Sequence, residues 1–326
     1  LKLGVGDAAD LRPGDEVVTV SHSFIATANA VRYCGATPVF VDIEPATLNL
    51  DPARLTAALT SRTKAVLVAH QMGMPANLAA ILPIARTAGV PVIEDAACAV
   101  GSEILWNGEW ERIGRPHGDI TCFSFHPRKV ITTGDGGMLT TADPKLDRTF
   151  RLLRQHGMSV SDTTRHGAKT VVFEEYLGTG FNYRMTDIQA AVGRVQLSRL
   201  PELVAERRSL AASYRLRLAA IAGLVLPEEL TWTRFNWQSY CVRLPDDADQ
   251  KTVMQHLLDR GIATRRGVMC AHRESAFRCD PIGWRAPGGL TESEHAQDRS
   301  LILPIYPGMT ESELEEVAQT LAAILA

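Results

Sequence analysis

The chain lacks the features that would direct a protein to a membrane, to nucleic acid or to secretion. No apolar run in its 326 residues approaches the length that spans a bilayer. The first residues also lack the basic, apolar and cleavage regions of a signal peptide. A formal charge of −3 without a basic stripe creates no field that attracts nucleic acid. We therefore expect a cytoplasmic protein with neither a membrane nor a nucleic acid as partner.

Cysteine is sparse and irregularly spaced. The 6 thiols form no CxxC pair and no regular framework, which is typical of reduced cysteines. Cys270, His272 and Cys279 lie close together in sequence, but a fourth ligand at a suitable spacing is missing. The sequence therefore predicts no metal site.

The chain does contain a regular alternation of apolar strands and helices. The strand patterns DEVVTV, TPVFVDI, KAVLVAH and PVIEDA are separated by helical segments, which predicts a mainly parallel sheet. Asp51 and Asp143 each precede a proline and are predicted helix N-caps. The segment ILWNGEWERIGRPHGD is predicted to form a hairpin or an excursion before the next strand, and the polar stretch from Met158 to Met185 is predicted to lack helical periodicity. Pro201 is expected to interrupt the helix that begins at Thr186.

The stretch from Thr121 to Gly137, TCFSFHPRKVITTGDGG, is the first candidate site. A β-rich run leads into a turn that carries Lys129 and then into a glycine-rich segment. It is not a P-loop, because no Gly-Lys-Ser/Thr follows four variable residues. Such a turn can present an amine to a bound aldehyde or phosphate. Taken alone, however, Lys129 beside Arg128 is better explained as a solvated surface lysine.

A carboxylate at a second strand end strengthens this interpretation. The apolar run VIEDAA ends in Asp95, and ligands in open α/β sheets lie at the carboxyl ends of strands. Pyridoxal phosphate needs a lysine to hold its aldehyde as a Schiff base and an acidic group to keep its pyridine nitrogen protonated. Lys129 and Asp95 fit these two requirements, so the pair predicts a pyridoxal-phosphate site.

Four stretches carry a resemblance to a known family. SFHPRKVITTGDGGMLTT, VIEDAACAVGS, PGDEVVTVSHSFIATANAVRYCGATPVFVDI and GFNYRMTDIQAAVGRVQL together resemble the DegT/DnrJ/StrS family of sugar aminotransferases, of the fold-type I pyridoxal-phosphate class. The resemblance implies an α/β fold with a large domain over residues 1–200. A linking helix and a smaller C-terminal α+β domain would occupy residues 201–326. It also implies a preceding segment with a Gly-Thr turn for the cofactor phosphate, so we expect the N-terminal part to be incomplete.

The resemblance assigns roles to individual residues. Lys129 would hold the cofactor and shuttle a proton, and Asp95 would pair with the pyridinium nitrogen. Ser124 would bond the phosphate, and Phe24 would stack on the pyridine unless it is a core residue. His126 would support the lysine turn, where we expect it to be buried with its hydrogen bonds satisfied.

Two further positions follow from the same resemblance. Asn182 matches an asparagine that reaches the phosphate of the neighbouring subunit, which implies a homodimer with shared active sites; capping of its own loop is the alternative. Cys98 stands three residues after Asp95, where the family usually has a polar side chain near the cofactor ring hydroxyl. Because a thiol is a poorer hydrogen-bonding group, Cys98 is expected to line the pocket without being essential.

The resemblance thus predicts a pyridoxal-phosphate-dependent aminotransferase. Its expected substrates are glutamate as amino donor and a keto group of a nucleotide-linked deoxysugar. An aminotransferase for a cyclic polyol ketone or another keto substrate remains an alternative. A regulatory or binding protein that keeps the fold without turnover is a second alternative, although retention of Lys129, Asp95 and Ser124 argues against it.

Overall fold

The computed structural model describes residues 11–160, 165 and 167–326. Its centre is a 6-stranded sheet formed by β1 (Glu16–Val20), β2 (Thr37–Val41), β3 (Thr63–Ala69), β4 (Val92–Asp95), β7 (Ile120–Ser124) and β8 (Gly137–Thr140). The strand order is β2-β1-β3-β4-β7-β8, and among these strands only β8 runs antiparallel to its neighbour. The predicted mainly parallel α/β architecture is confirmed.

Helices cover both faces of this sheet. They are α1 (Ile25–Tyr33), α2 (Pro52–Ala58), α3 (Leu78–Thr87) and α4 (Pro144–Leu153). Side chains of β1 alternate between the faces, since Val18 packs in one core with α2 and α3 and Val17 packs in another with α1 and α4. The predicted caps are confirmed, because the Asp51 and Asp143 carboxylates accept hydrogen bonds from the backbone of the first helical turn.

A hairpin and a second antiparallel sheet complete the strands. The hairpin is confirmed as β5 (Glu103–Trp106) and β6 (Glu109–Arg112), and β9 (Thr233–Arg234) pairs with β5. The second sheet has the order β10-β12-β11, formed by β10 (Tyr240–Arg243), β11 (Arg265–Arg266) and β12 (Ser300–Leu303). Helices α6 (Gln250–Leu258) and α9 (Glu311–Leu325) pack on it, which matches the predicted α+β character of this part.

The segment between β11 and β12 turns back onto the central sheet. It contains α7 (Ser275–Arg278) and α8 (Thr291–Arg299). The Phe40 backbone N–H donates to the Arg285 carbonyl at 2.7 Å, and the Arg285 guanidinium pairs with Glu16 at 2.9 Å. Among the described residues, no helix is both long and apolar enough to cross a bilayer.

Helix α5 (Asp187–Leu218) contradicts the expected interruption at Pro201, because the helix runs through that proline without a break. The helix begins where it was predicted to begin, with Thr186 as its N-cap. A proline removes one helical hydrogen bond, but packing on both sides outweighs that loss. Leu203 packs below the lysine turn against Val130, and Leu210 enters the core of the second sheet. The domain boundary at residue 200 stays a prediction, and α5 crosses it.

Candidate active site

The candidate site forms where β4 and β7 end side by side. These strands are parallel neighbours in which Asp95 pairs with Cys122. The chain therefore leaves both strands at the same edge of the sheet. The loop after β4 carries Cys98, and the loop after β7 carries Lys129. Two segments that are distant in sequence thus meet at one place.

Asp95 is half-buried and held in a fixed orientation. Its Oδ2 accepts a hydrogen bond from Thr27 Oγ1 at 2.7 Å, and its Oδ1 accepts from the Ala97 backbone N–H at 3.2 Å. Ser23 Oγ lies 2.9 Å from Thr27 Oγ1, so Ser23 donates to Thr27 because the Thr27 proton goes to Asp95. A carboxylate has lone pairs for about four donors, so Asp95 can still accept from a ligand.

Lys129 Nζ lies 3.1 Å from Cys98 Sγ. The ammonium group has donors only, so Lys129 donates to the sulfur. Burial raises the pKa of the Cys98 thiol, and the nearby lysine charge opposes this shift. The thiol is therefore neutral at physiological pH and is a weak partner that a stronger ligand of the amine can replace.

The lysine turn is stabilised by its own backbone and by His126. The Lys129 backbone N–H donates to the His126 carbonyl at 2.9 Å, and His126 Nδ1 accepts from the Arg128 backbone N–H at 3.2 Å. Ser124 Oγ accepts from the His126 backbone N–H at 3.3 Å. The expectation that His126 is buried is wrong, because the turn projects from the sheet edge and leaves the ring exposed.

The three glycines that follow the lysine turn meet two different structural needs. Gly134 has φ +81° and Gly136 has φ +155°, which side-chain-bearing residues rarely adopt. Gly137 has no such φ, but a Cβ there would lie 2.7 Å from the Phe123 carbonyl oxygen on the neighbouring strand. The loop therefore needs backbone freedom at two positions and close strand approach at the third.

Phe24 and Asn182 lie outside this cluster. Phe24 is 68% exposed, so the alternative of a core phenylalanine is wrong, and it precedes Thr27, which bonds Asp95, by three residues. Asn182 is exposed and its backbone pairs with Gln155. Within the described part of the chain, the Asn182 side chain forms no hydrogen bond to the residues around Lys129.

Two site-forming residues had no signal in the sequence. Asn236 and Gln238 precede β10 and hold the loops after β4 and β7, respectively.

A buried hydrogen-bonded pair, His70 and Glu94, lies next to Asp95. His70 Nε2 is 2.9 Å from Glu94 Oε2. His70 Nδ1 accepts from a backbone N–H, so its proton is on Nε2 and it donates to Glu94. This pair supports β4 next to Asp95.

Of the three residues weighed as metal ligands, Cys270 and His272 have hydrogen-bond partners in the protein. Cys270 Sγ donates to the Ser293 carbonyl at 3.1 Å, and Cys279 is exposed. The two ring nitrogens of His272 contact Ser21 and Glu294 at 2.7 and 2.9 Å. In the residues that the structure describes, no group of three or more His, Cys, Asp or Glu is suited to hold a metal ion.

The donor set at the strand ends fits pyridoxal phosphate. A lysine amine next to a neutral thiol can react with an aldehyde, and Asp95 retains acceptor capacity for a protonated pyridine nitrogen. The Ser124 hydroxyl is half-buried at the end of β7, and the Phe24 ring is open to a planar ligand. These residues would hold the aldehyde, the nitrogen, the phosphate and the ring face.

Comparison with characterised sequences identifies the family. A family model described as the DegT/DnrJ/EryC1/StrS aminotransferase family matches residues 2–322. GDP-perosamine synthase from Caulobacter vibrioides is 38% identical over 321 residues, covering 98% of this chain and 81% of that protein. The dTDP-4-dehydro-2,3,6-trideoxy-D-glucose 4-aminotransferase from Saccharopolyspora spinosa is 36% identical over 313 residues, covering 95% and 78%.

Solved structures give the same result. The aminotransferase TlmJ from Streptoalloteichus hindustanus superimposes with a TM-score of 0.85 at 36% identity, covering 97% of this chain and 80% of that one. DesV from S. venezuelae has a TM-score of 0.84 at 32% identity, covering 95% and 78%. The resemblance seen in the four sequence motifs is confirmed. The chain belongs to the DegT/DnrJ/EryC1/StrS aminotransferase family and is a pyridoxal-phosphate-dependent aminotransferase.

Proposed function

We propose that this aminotransferase transfers an amino group from glutamate to a keto group of a nucleotide-linked deoxysugar. The observation that carries the aminotransferase chemistry is the placement of Lys129 Nζ beside Cys98 Sγ, three residues from Asp95, at the edge where two parallel strands end. The names of two relatives support the acceptor, since one refers to a GDP-linked sugar and the other to a dTDP-linked keto-deoxysugar.

The cofactor and the protein have separate roles in this scheme. Bound pyridoxal phosphate supplies an electrophilic aldehyde and a ring that accepts the electron pair left when the amine-bearing carbon loses its proton. Asp95 would keep the pyridine nitrogen protonated, and the Thr27 and Ser23 hydroxyls orient the carboxylate for this task. Ser124 would bond the phosphate, and Phe24 would cover one face of the ring.

Lys129 carries out the proton transfers. With the cofactor bound, Nζ as a free amine would take the proton from the amine-bearing carbon of the donor, and the resulting ammonium would hold that proton for its return; the order would be reversed with the keto-sugar. This requires Nζ to be placed reproducibly, and the backbone bonds of the turn at His126 and Arg128 provide that. Cys98 lies beside the amine without joining the bond-making.

We further propose a homodimer in which Asn182 reaches the phosphate site of the other subunit. Exposed apolar side chains support an interface on this side of the molecule. Met138 on the edge strand β8 is 50% exposed, and Ile188 and Val195 on α5 are 80% and 60% exposed. Gln189 Nε2 donates to the Asp135 carbonyl at 2.9 Å, so the start of α5 lies against the loop that leads into β8.

An acceptor screen tests the substrate proposal. Protein loaded with pyridoxal phosphate is incubated with glutamate and with dTDP- and GDP-linked 4-keto sugars or cyclic polyol ketones, and 2-oxoglutarate release is measured. Turnover with a nucleotide-linked sugar supports the proposal, and Lys129→Ala should abolish it. Turnover confined to cyclic polyol ketones would contradict the sugar acceptor. Cofactor binding without any reaction with glutamate would indicate a non-catalytic protein.

A further inference from the structure

The side chain of Gln238 makes hydrogen bonds on both sides of Lys129. Its Oε1 accepts from the Val130 backbone N–H at 2.9 Å, and its Nε2 donates to the Arg128 carbonyl at 2.8 Å. The two backbone partners fix which end of the amide is oxygen, because an N–H needs an acceptor and a carbonyl needs a donor. One side chain thus spans the residue that bears the amine.

The side chain of Asn236 binds the backbone of the loop after β4. Its Nδ2 donates to the carbonyls of Cys98 at 2.8 Å and Val100 at 2.9 Å. Its Oδ1 accepts from the Gln238 backbone N–H at 2.9 Å, so the Asn236 side chain also holds the backbone of Gln238. Asn236 is fully buried and has all these bonds inside the protein. The loops after β4 and β7 are therefore joined through one short segment.

That segment is itself held in an unusual conformation. Trp237, between the two amides, has φ +52°, which a non-glycine residue adopts only when its surroundings impose it. The buried Arg207 on α5 donates to the Trp237 carbonyl at 3.0 Å. The Trp237 ring packs between Phe235 and Tyr240, with ring centres 4.4 and 5.6 Å away. The left-handed residue thus lies between the two amides, and its side chain is buried in the core behind them.

We propose that Asn236 and Gln238 are positioning residues that hold Lys129 and Cys98 at their working separation. Neither side chain contacts the reacting atoms; each acts through the backbone of a loop. Their effect is on the placement of Lys129 Nζ, so their loss slows the steps that Lys129 performs without weakening substrate binding equally. This inference rests on the proposed role of Lys129.

The variant Gln238→Met tests the inference because it keeps the length of the side chain and removes both hydrogen bonds. Gln250→Met is the matched control: Gln250 also uses its amide to bind backbone, at Gln297 and Ser300, and it lies on α6 away from Lys129. Gln238→Glu keeps the acceptor for Val130 but loses the donor for Arg128, so it should restore part of the effect.

Three measurements separate positioning from general stability. In cofactor-free protein, the Val130 amide should exchange with solvent roughly five times faster in Gln238→Met than in the control. Covalent attachment of pyridoxal phosphate to Lys129 should be about 10- to 100-fold slower, and kcat should fall similarly while KM for the keto-sugar changes less than about threefold. Gln238→Glu should lie between wild type and Gln238→Met.

The outcomes also separate this inference from the proposed function. If wild-type protein attaches the cofactor at Lys129 and Gln238→Met does so at the same rate, the positioning role is wrong and the function stands. If Gln238→Met and Gln250→Met slow attachment equally, the effect is one of stability and the inference is overturned. If wild-type protein does not attach the cofactor at Lys129, the proposed function itself fails.

Discussion

At the scale of single residues, the contact between Cys98 and Lys129 distinguishes this site. A thiol with a raised pKa stays protonated and offers the lysine amine only a weak partner. A carboxylate in the same place would form a stronger, charge-assisted bond with the lysine. Cys98 is therefore a partner of Lys129 that a stronger ligand can displace.

We predict that Cys98→Gln retains measurable transamination. An amide can replace the sulfur as a neutral acceptor for the lysine amine, so kcat should fall by no more than about tenfold.

A thiol-alkylating reagent at pH 7.5 should modify the exposed Cys279 well before Cys98, because the nucleophile is the thiolate. Peptide mass mapping over time measures the order. Alkylation of Cys98 first, or complete inactivity of Cys98→Gln, would contradict this description of the thiol.

His22 is predicted to make the protein sensitive to acid. It is fully buried on the loop after β1, and both ring nitrogens lack a hydrogen-bond partner among the described residues. Burial lowers its pKa from 6.5 to about 4, and the nearby Asp42 only partly opposes this. Between these two pH values the unfolded chain binds a proton that the folded chain does not. The free energy of unfolding should therefore fall as the pH drops through this window, by up to about 3 kcal/mol.

The variant His22→Phe removes this titration and should flatten the pH dependence of urea denaturation between pH 6.5 and pH 4. His256→Gln is the control, because His256 is exposed on α6. Equal acid sensitivity in wild type and His22→Phe would show that other groups are responsible.

At the scale of elements, the turn after β3 packs closely against Asn236 and the Cys98 loop, and no sequence pattern indicates this contact. Gly73 has φ +100°, and a Cβ there would lie 2.0 Å from Asn236 Oδ1 and 2.9 Å from the Cys98 carbonyl. Asn236 is fully buried and cannot move without losing its bonds to the Cys98 loop. The turn therefore takes part in holding the loop that faces Lys129.

We predict that Gly73→Ala destabilises the protein more than Gly35→Ala does. Gly35 has a similar φ of +75° with open space around its Cβ position, so it measures the conformational cost alone, about 1 kcal/mol. Gly73→Ala adds the overlap with Asn236 and should cost about 1–3 kcal/mol more. Urea denaturation midpoints and slopes give both values. Equal losses for the two variants would mean that the turn yields easily and does not hold the Cys98 loop.

The sequence could predict the part of the site that strand ends create. Asp95 ends an apolar run, and Lys129 lies in the turn that follows a β-rich run. Parallel neighbouring strands place such residues at the same edge of the sheet. Asn236 and Gln238 were beyond prediction, because a polar residue before a short strand has no period or spacing that marks its partner more than 100 positions earlier. The helix break predicted at Pro201 was wrong for a related reason. Local propensity favours a break, but packing against two cores keeps α5 continuous.

At the scale of the whole molecule, we predict that two inactive variants complement each other. In the proposed dimer, each site combines Lys129 of one subunit with Asn182 of the other. Lys129→Ala and Asn182→Asp, the latter placing a charge near the phosphate, should each be inactive. After equal mixing and full subunit exchange, half the dimers are mixed and each has one intact site, so about a quarter of wild-type activity should return.

Sedimentation of the active protein provides the independent check. The exposed apolar side chains on β8 and α5 should be covered in the active species, which should sediment as a dimer. An active monomer, or verified subunit exchange that restores no activity, would contradict the shared site.

The central claim is that Lys129 is the residue that carries the cofactor. The most direct measurement is borohydride reduction of the protein with bound pyridoxal phosphate, followed by peptide mapping. The label should be found on Lys129, and it should be absent from Lys129→Ala while remaining unchanged in Lys145→Ala, an exposed lysine on α4. A label on another lysine, or an undiminished label in Lys129→Ala, would contradict the account.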